Sequence, residues 1–172
     1  MAQLAQSFFR RPVLEVAPEL LGKQLVRSLP AGDVFRYRIT EVEAYDGSAD
    51  LACHASRGKT PRTAVMYEPG GVWYVYLVYG MYHMLNIVTG ESGYPAAVLI
   101  RGVETISGPG RLTKKLFINK TLNQKKAIKH NGLWIEDDGL AVSAFAVTRT
   151  PRIGVAYAKE WAEKPYRFVW QT

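Results

Sequence analysis

The chain has 172 residues, 48% of them hydrophobic and 22% charged, which excludes a disordered or fibrous protein and suits one globular domain with a real core over 1–172. A single cysteine, Cys53, rules out an internal disulfide, and no stretch approaches the ~18 consecutive apolar residues of a membrane span. The net charge of +7 has one source: Thr105 to Ile135 holds Arg111, Lys114, Lys115, Lys120, Lys125, Lys126 and Lys129 with no acidic residue, while charges elsewhere balance. Such a one-sided field suits phosphates or an anionic lipid surface, and ordinary solvated lysines are the plain alternative.

In chain order, residues 3–9 and 17–21 read as short helices, with Pro18 near a helix start and Gly22 near its end. The opening residues lack the basic and then apolar pattern of a secretory signal, so the protein is not expected to be secreted. Lys23 to Leu29 reads as a strand, 29–33 as a turn and Val34 to Tyr45 as a longer strand. Strict alternation there puts Arg36, Arg38, Thr40, Val42 and Ala44 on one face. Tyr37, Ile39, Glu41, Glu43 and Tyr45 take the other, so Glu43 and Tyr45 sit side by side. Asp46 to Gly71 is punctuated by Gly and Pro and reads as loop or short helix.

Val72 to Val78 and Tyr82 to Val88 then predict a hairpin with Tyr79-Gly80 at its tip, followed by a strand over Ala96 to Val103. SGPGRLTKKL (107–116) predicts a Gly-rich turn entering a helix whose first amides could meet a phosphate. Leu133 to Ile135 and Leu140 to Val147 read as strands, and 150–168 closes the chain. The expected fold is α+β: a curved, mainly antiparallel sheet flanked by short helices, with one protruding hairpin.

Several residues could carry chemistry. Glu43, a strand carboxylate beside an aromatic ring, can act as a general base where water reaches it, or be a solvated strand glutamate. Cys53 and His54 are neighbours that could form a thiol–imidazole pair, although adjacent loop residues seldom face one another and no orienting group is evident. His54, His83 and His130 lack metal-ligand spacing, so no metal is expected. Tyr74, Tyr76, Tyr79 and Tyr82 crowd one hairpin. Core packing explains Tyr74 but not an aromatic at an exposed tip, where stacking on a nucleobase is a natural use. Arg101 ends an apolar strand and needs a partner, either a phosphate or one of Glu41, Glu43 and Glu104.

The segments ITEVEAYDGSADLACHASRGKTPRTAVMYEPGGVWYVYLVYGMYHMLNIV (39–88), AAVLIRGVE (96–104) and GPGRLTKKLFINKTLN (108–123), with the ending TPRIGVAYAKEWAEKPYRF, resemble the alkyladenine (3-methylpurine) DNA glycosylase family across nearly the whole chain. The resemblance implies a monofunctional glycosylase that extrudes alkylated or deaminated purines from double-stranded DNA and hydrolyses the N-glycosidic bond. It implies Glu43 as general base and Arg101 as holder of the water and nucleotide. Tyr45, His54 and Tyr76 would line the base pocket, and Asn86 would exclude guanine by clashing with its 2-amino group. Tyr79 would intercalate, with Met81 and Tyr82 touching DNA beside it.

Arg57, Arg62, Arg111, Lys114 and Lys120 are the expected phosphate contacts. No cofactor is implied, and a monomer is expected, located in the cytoplasm or on the nucleoid of a bacterium or in a eukaryotic nucleus. The family's larger members carry a long N-terminal extension that this sequence lacks. A non-catalytic lesion- or nucleic-acid-binding module is the alternative.

Overall fold

A computed structural model describes residues 1–171. The strands are β1 (Ala2–Gln3), β2 (Gln24–Ser28), β3 (Val34–Asp46), β4 (Trp73–Val78), β5 (Tyr82–Val88), β6 (Ala96–Val103), β7 (Ile106–Ser107), β8 (Leu133–Asp137), β9 (Val147–Thr150) and β10 (Arg167–Trp170). The helices are α1 (Gln6–Phe9), α2 (Val13–Leu20) and α3 (Pro109–Lys115). Every strand pair is antiparallel, in the order β1-β8-β2-β3-β6-β5-β4. β10 pairs with β3 and β9, and β7 with β6. The α+β expectation and the protruding hairpin are both present.

The long β3 organises the sheet. Its first half pairs with β2, and its second half lies between β6 and β10. The far edge, β4, is not left open: the Trp73 indole donates to the Leu133 carbonyl at 3.0 Å, and its amide to the Lys125 carbonyl at 2.8 Å. These bonds draw the 125–133 segment against β4 and satisfy backbone groups that would otherwise be a bare sheet edge. On the core side, α2 presents Val13, Val16, Ala17 and Leu20 to the sheet. Burying each Val or Leu is worth about 1.5–3 kcal/mol.

Four expectations need correction. Strict alternation along β3 fails, because the register against β6 shifts on both sides of Glu41. Thr40 on β3 and Arg101 on β6 are the extra residues. The core phase therefore changes from Tyr37 and Ile39 to Val42 and Ala44, and only Glu41, Glu43 and Tyr45 share the opposite face. Helix 3–9 shrinks to α1, because Ala2 and Gln3 pair with the edge of β8. α2 begins at Val13, not near Pro18. Pro12, with φ −53° and ψ 139°, turns the chain into the helix, and Pro18 lies inside it. Finally, Leu140–Val147 is not a strand: the Ser143 hydroxyl accepts from the Phe145 amide in a local turn, and extended pairing begins only at Val147.

Candidate active site

The site lies on the face of β3 and β6 opposite the main core. The bulge at Thr40 and the alternation after it send Glu41, Glu43 and Tyr45 to this side. Ala97, Leu99 and Arg101 of β6 join them, and Tyr74, Tyr76 and Asn86 come from the hairpin. Tyr45 and these residues of β6 and the hairpin line a cavity of about 250 Å³, closed on other sides by His54, Tyr79 and the 153–157 segment.

Glu43 has no exposed surface and stands just behind the cavity lining. Its Oε2 accepts from the Tyr45 hydroxyl at 2.8 Å, and its Oε1 from the Ile153 amide at 2.7 Å. Arg101 Nε lies 3.5 Å from the same Oε1. Burial raises the Glu43 pKa, while Arg101, the Ile153 amide and the Tyr45 hydroxyl oppose the rise. The outcome is a carboxylate more basic than a free glutamate, with donors on both oxygens.

The aromatic walls are locked in pairs. His54 Nδ1 lies 2.9 Å from the Tyr74 hydroxyl, and its ring meets Tyr76 edge-on at 4.7 Å. Burial first, then Arg62 and Arg57, push the His54 pKa down to about 4, so its imidazole is neutral at physiological pH. Burial pushes the Tyr76 pKa well above the ordinary phenol value, so it keeps its proton at any physiological pH. Asn86 is buried and donates from Nδ2 to the Tyr74 carbonyl at 3.1 Å. Cys53 is no partner for His54: its thiol is buried, directed at the Pro95 carbonyl and raised to about 12 by burial. A thiol held protonated in this way is a poor nucleophile.

The hairpin tip stands beside the cavity. Tyr79 is 90% exposed, with φ +50°, and Gly80 follows at φ +68°. The Met81 amide closes the turn on the Val78 carbonyl at 3.1 Å. Positive φ at both central residues is the type I′ pattern that suits hairpin twist. Met81 is exposed, whereas Tyr82 leans its ring on Gly110, where an added Cβ would come within 2.8 Å of that ring. Neither lines the cavity. Arg57, Arg62, Arg111, Lys114 and Lys120 are all exposed, and Arg62 lies over the Tyr76 ring at 5.1 Å.

Residue chemistry alone does not single out Asp50, Arg152, Ile153, Tyr157 or Arg167. Arg152 and Asp50 are both fully buried side chains in a two-point ion pair. Arg152 also donates to the Ala44 and Trp161 carbonyls and lies 4.8 Å from the Tyr45 ring centre. It thus anchors the loop whose next amide, Ile153, holds Glu43. The only sequence signal was one arginine amid small and apolar residues, and its partner lies 102 positions away. No group of three or more possible metal-ligating side chains occurs among the described residues.

A buried, donor-held carboxylate behind a ring-lined cavity can take a proton from a bound water, and comparison with known proteins makes the class a hydrolase that acts on N-glycosidic bonds. The chain belongs to the methylpurine-DNA glycosylase family, whose model matches residues 7–107 and 103–172. It is 47% identical to a relative from Methanocella arvoryzae, over 98% of this chain and 92% of that protein. A Myxococcus xanthus relative is 48% identical, over 97% and 89% of the two chains. One from Psychrobacter cryohalolentis is 42% identical, over 95% and 90%. All three carry the name "Putative 3-methyladenine DNA glycosylase".

Proposed function

We propose that the protein is a monofunctional DNA glycosylase that extrudes damaged purines from duplex DNA and releases them by hydrolysis. Its substrates are 3-methyladenine-type bases, as the relatives' names suggest, together with hypoxanthine and etheno-adenine. The observation carrying this reading is Glu43, unexposed and held by Tyr45 and Ile153 directly behind a cavity lined by Tyr45, His54, Tyr76 and Arg101.

A base inside the stack offers no access to its glycosidic bond, so it must leave the helix, at a cost of a few kcal/mol. Tyr79 fills the vacated step and offsets part of that cost, flanked by Met81 and Tyr82. The base enters between the rings of Tyr45, His54 and Tyr76, and Asn86 narrows the site against the 2-amino group of guanine. A water held between Glu43 and Arg101 attacks the anomeric carbon. The bond to the base nitrogen breaks with its electron pair, and Glu43 takes the water proton while opposing charge on the oxocarbenium-like sugar. A cationic alkylpurine leaves neutral without further protonation. Arg57, Arg62, Arg111, Lys114 and Lys120 engage phosphates without reading sequence.

The chain acts as one unit over 1–172 and as a monomer, in the compartment that holds DNA. Support for one unit comes from β1 and β10, near the two ends, which both pair into the central sheet.

The test uses duplexes carrying a single hypoxanthine or etheno-adenine, and methylated DNA, each treated with hot alkali after incubation. Strand breaks at the lesion only after alkali are expected. Glu43→Gln should abolish them and keep binding. Tight binding without base release by the wild type would instead favour a lesion-binding module.

A further inference from the structure

The carboxylate nearest Arg101 is not Glu43. Arg101 Nε donates to Glu41 Oε1 at 2.9 Å, against 3.5 Å to Glu43 Oε1. The same Glu41 oxygen accepts from Arg167 Nε at 2.7 Å, and Arg167 Nη1 is tied to the Thr150 hydroxyl at 3.0 Å. Glu41 is therefore clamped from β10 while it holds a residue of β6. The register creates this arrangement. The shifts on either side of Glu41 set it opposite Gly102 and leave Arg101 as the unpaired extra residue of β6. Bulges of this kind re-aim a side chain. The Nη groups of Arg101 have no hydrogen-bond acceptor among the described residues, and Arg101 lines the cavity.

We propose that Glu41 is a positioning residue: by taking the Nε–H of Arg101 it keeps that guanidinium beside Glu43 without letting the two close into a short, two-point ion pair. This rests on Glu43 being the base. An arginine and a carboxylate left to themselves form a short, two-point pair. Such a pair would occupy the Glu43 oxygen that water must reach and would turn the Nη groups away from the cavity. Glu41 offers Arg101 a competing anion, and Arg167 neutralises Glu41, so the cluster of two carboxylates and two guanidiniums stays balanced.

The groups around Glu43 fix the sign of the pH effect. They are Glu41 and Tyr45 from β3, Arg101 from β6, Tyr76 from β4, the Ile153 amide and Arg152 from the 151–161 segment, with Arg167 of β10 behind Glu41. Arg101 lowers the Glu43 pKa and Glu41 raises it. Removing the Glu41 charge deletes the raising influence and frees Arg101 to approach, so both changes make Glu43 less basic.

The experiment is single-turnover release of methylpurines from dimethyl-sulfate-treated duplex DNA, followed through the acid and neutral range, for wild type, Glu41→Gln and Glu41→Asp. Glu41→Gln is expected to lose roughly tenfold to a hundredfold in rate at saturating enzyme, the scale of a displaced active-site group. Its acid limb should move to lower pH while DNA affinity is kept, and Glu41→Asp should recover part of the rate. A Glu41→Gln protein with wild-type rate and limb overturns the proposal. So does a rate loss with an unmoved limb and a lowered Tm, the mark of a merely structural residue. Wild-type protein that releases no methylpurine overturns the assignment of Glu43 first, and this inference with it.

Discussion

Glu43 is pulled in opposite directions by burial and by its two hydrogen-bond donors together with the Arg101 charge, and burial wins. As the proposed general base, Glu43 works deprotonated, so kcat/KM should fall as pH drops through a pKa above the ordinary glutamate value of ~4.3. Arg101→Gln removes a lowering influence and should move that limb higher still, in a pH–rate profile on methylated DNA. His54 supplies no second limb near neutrality, because its pKa is about 4. It does affect stability: an unfolded histidine binds its proton from ~6.5 downward, whereas the folded one resists until about 4. The His54 contribution is thus intact above that window and lost as pH falls through it, which denaturant melts across the window for wild type and His54→Gln will reveal. At Asp50 the buried pair leaves no solvent to compensate. Asp50→Asn should cost roughly 3–5 kcal/mol in urea unfolding, since it strands the Arg152 charge.

The β4–β5 hairpin keeps a non-glycine residue at positive φ at its most exposed point. A bulky aromatic there is strained by about 1–3 kcal/mol, and its ring buries nothing in return. Tyr79→Ala should leave Tm nearly unchanged. It should slow base release roughly tenfold by removing the group proposed to occupy the emptied stack, measured by single-turnover excision. The hairpin was legible because β-branched and aromatic content and a Tyr-Gly break agreed. The 140–147 stretch was not. Its apolar residues suit a strand, but Ser143 bonds its own neighbouring backbone, and no strand partner is nearby in sequence to outbid it.

Across the whole molecule, the uncompensated charge is on the surface: Arg111, Lys114, Lys115, Lys120, Lys125, Lys126 and Lys129 are all exposed. Log affinity for duplex DNA should fall linearly with log salt. Lys114→Gln and Lys120→Gln should each make the slope shallower by ~0.9, if each meets one phosphate. Binding isotherms at several salt concentrations measure this. Such substitutions should weaken binding evenly for damaged and undamaged duplexes, because phosphate contacts carry no base information. No helix among the described residues is long and apolar enough to cross a membrane.

By itself the sequence determined the strand-rich centre, the aromatic hairpin, the basic segment and the adjacency of Glu43 to Tyr45, because each is a local pattern of period, turn residue or charge. It also held enough ordered motifs to indicate the family. Only the tertiary structure decided that the β3–β6 register shifts put Glu41 and Arg101 together, that Arg152 finds Asp50, and that the Ile153 amide closes on Glu43. Those partners are 60, 102 and 110 residues apart, and no local preference encodes them. They form because a buried charge or amide without a partner costs several kcal/mol, a penalty felt only once the sheet has curled and expelled water.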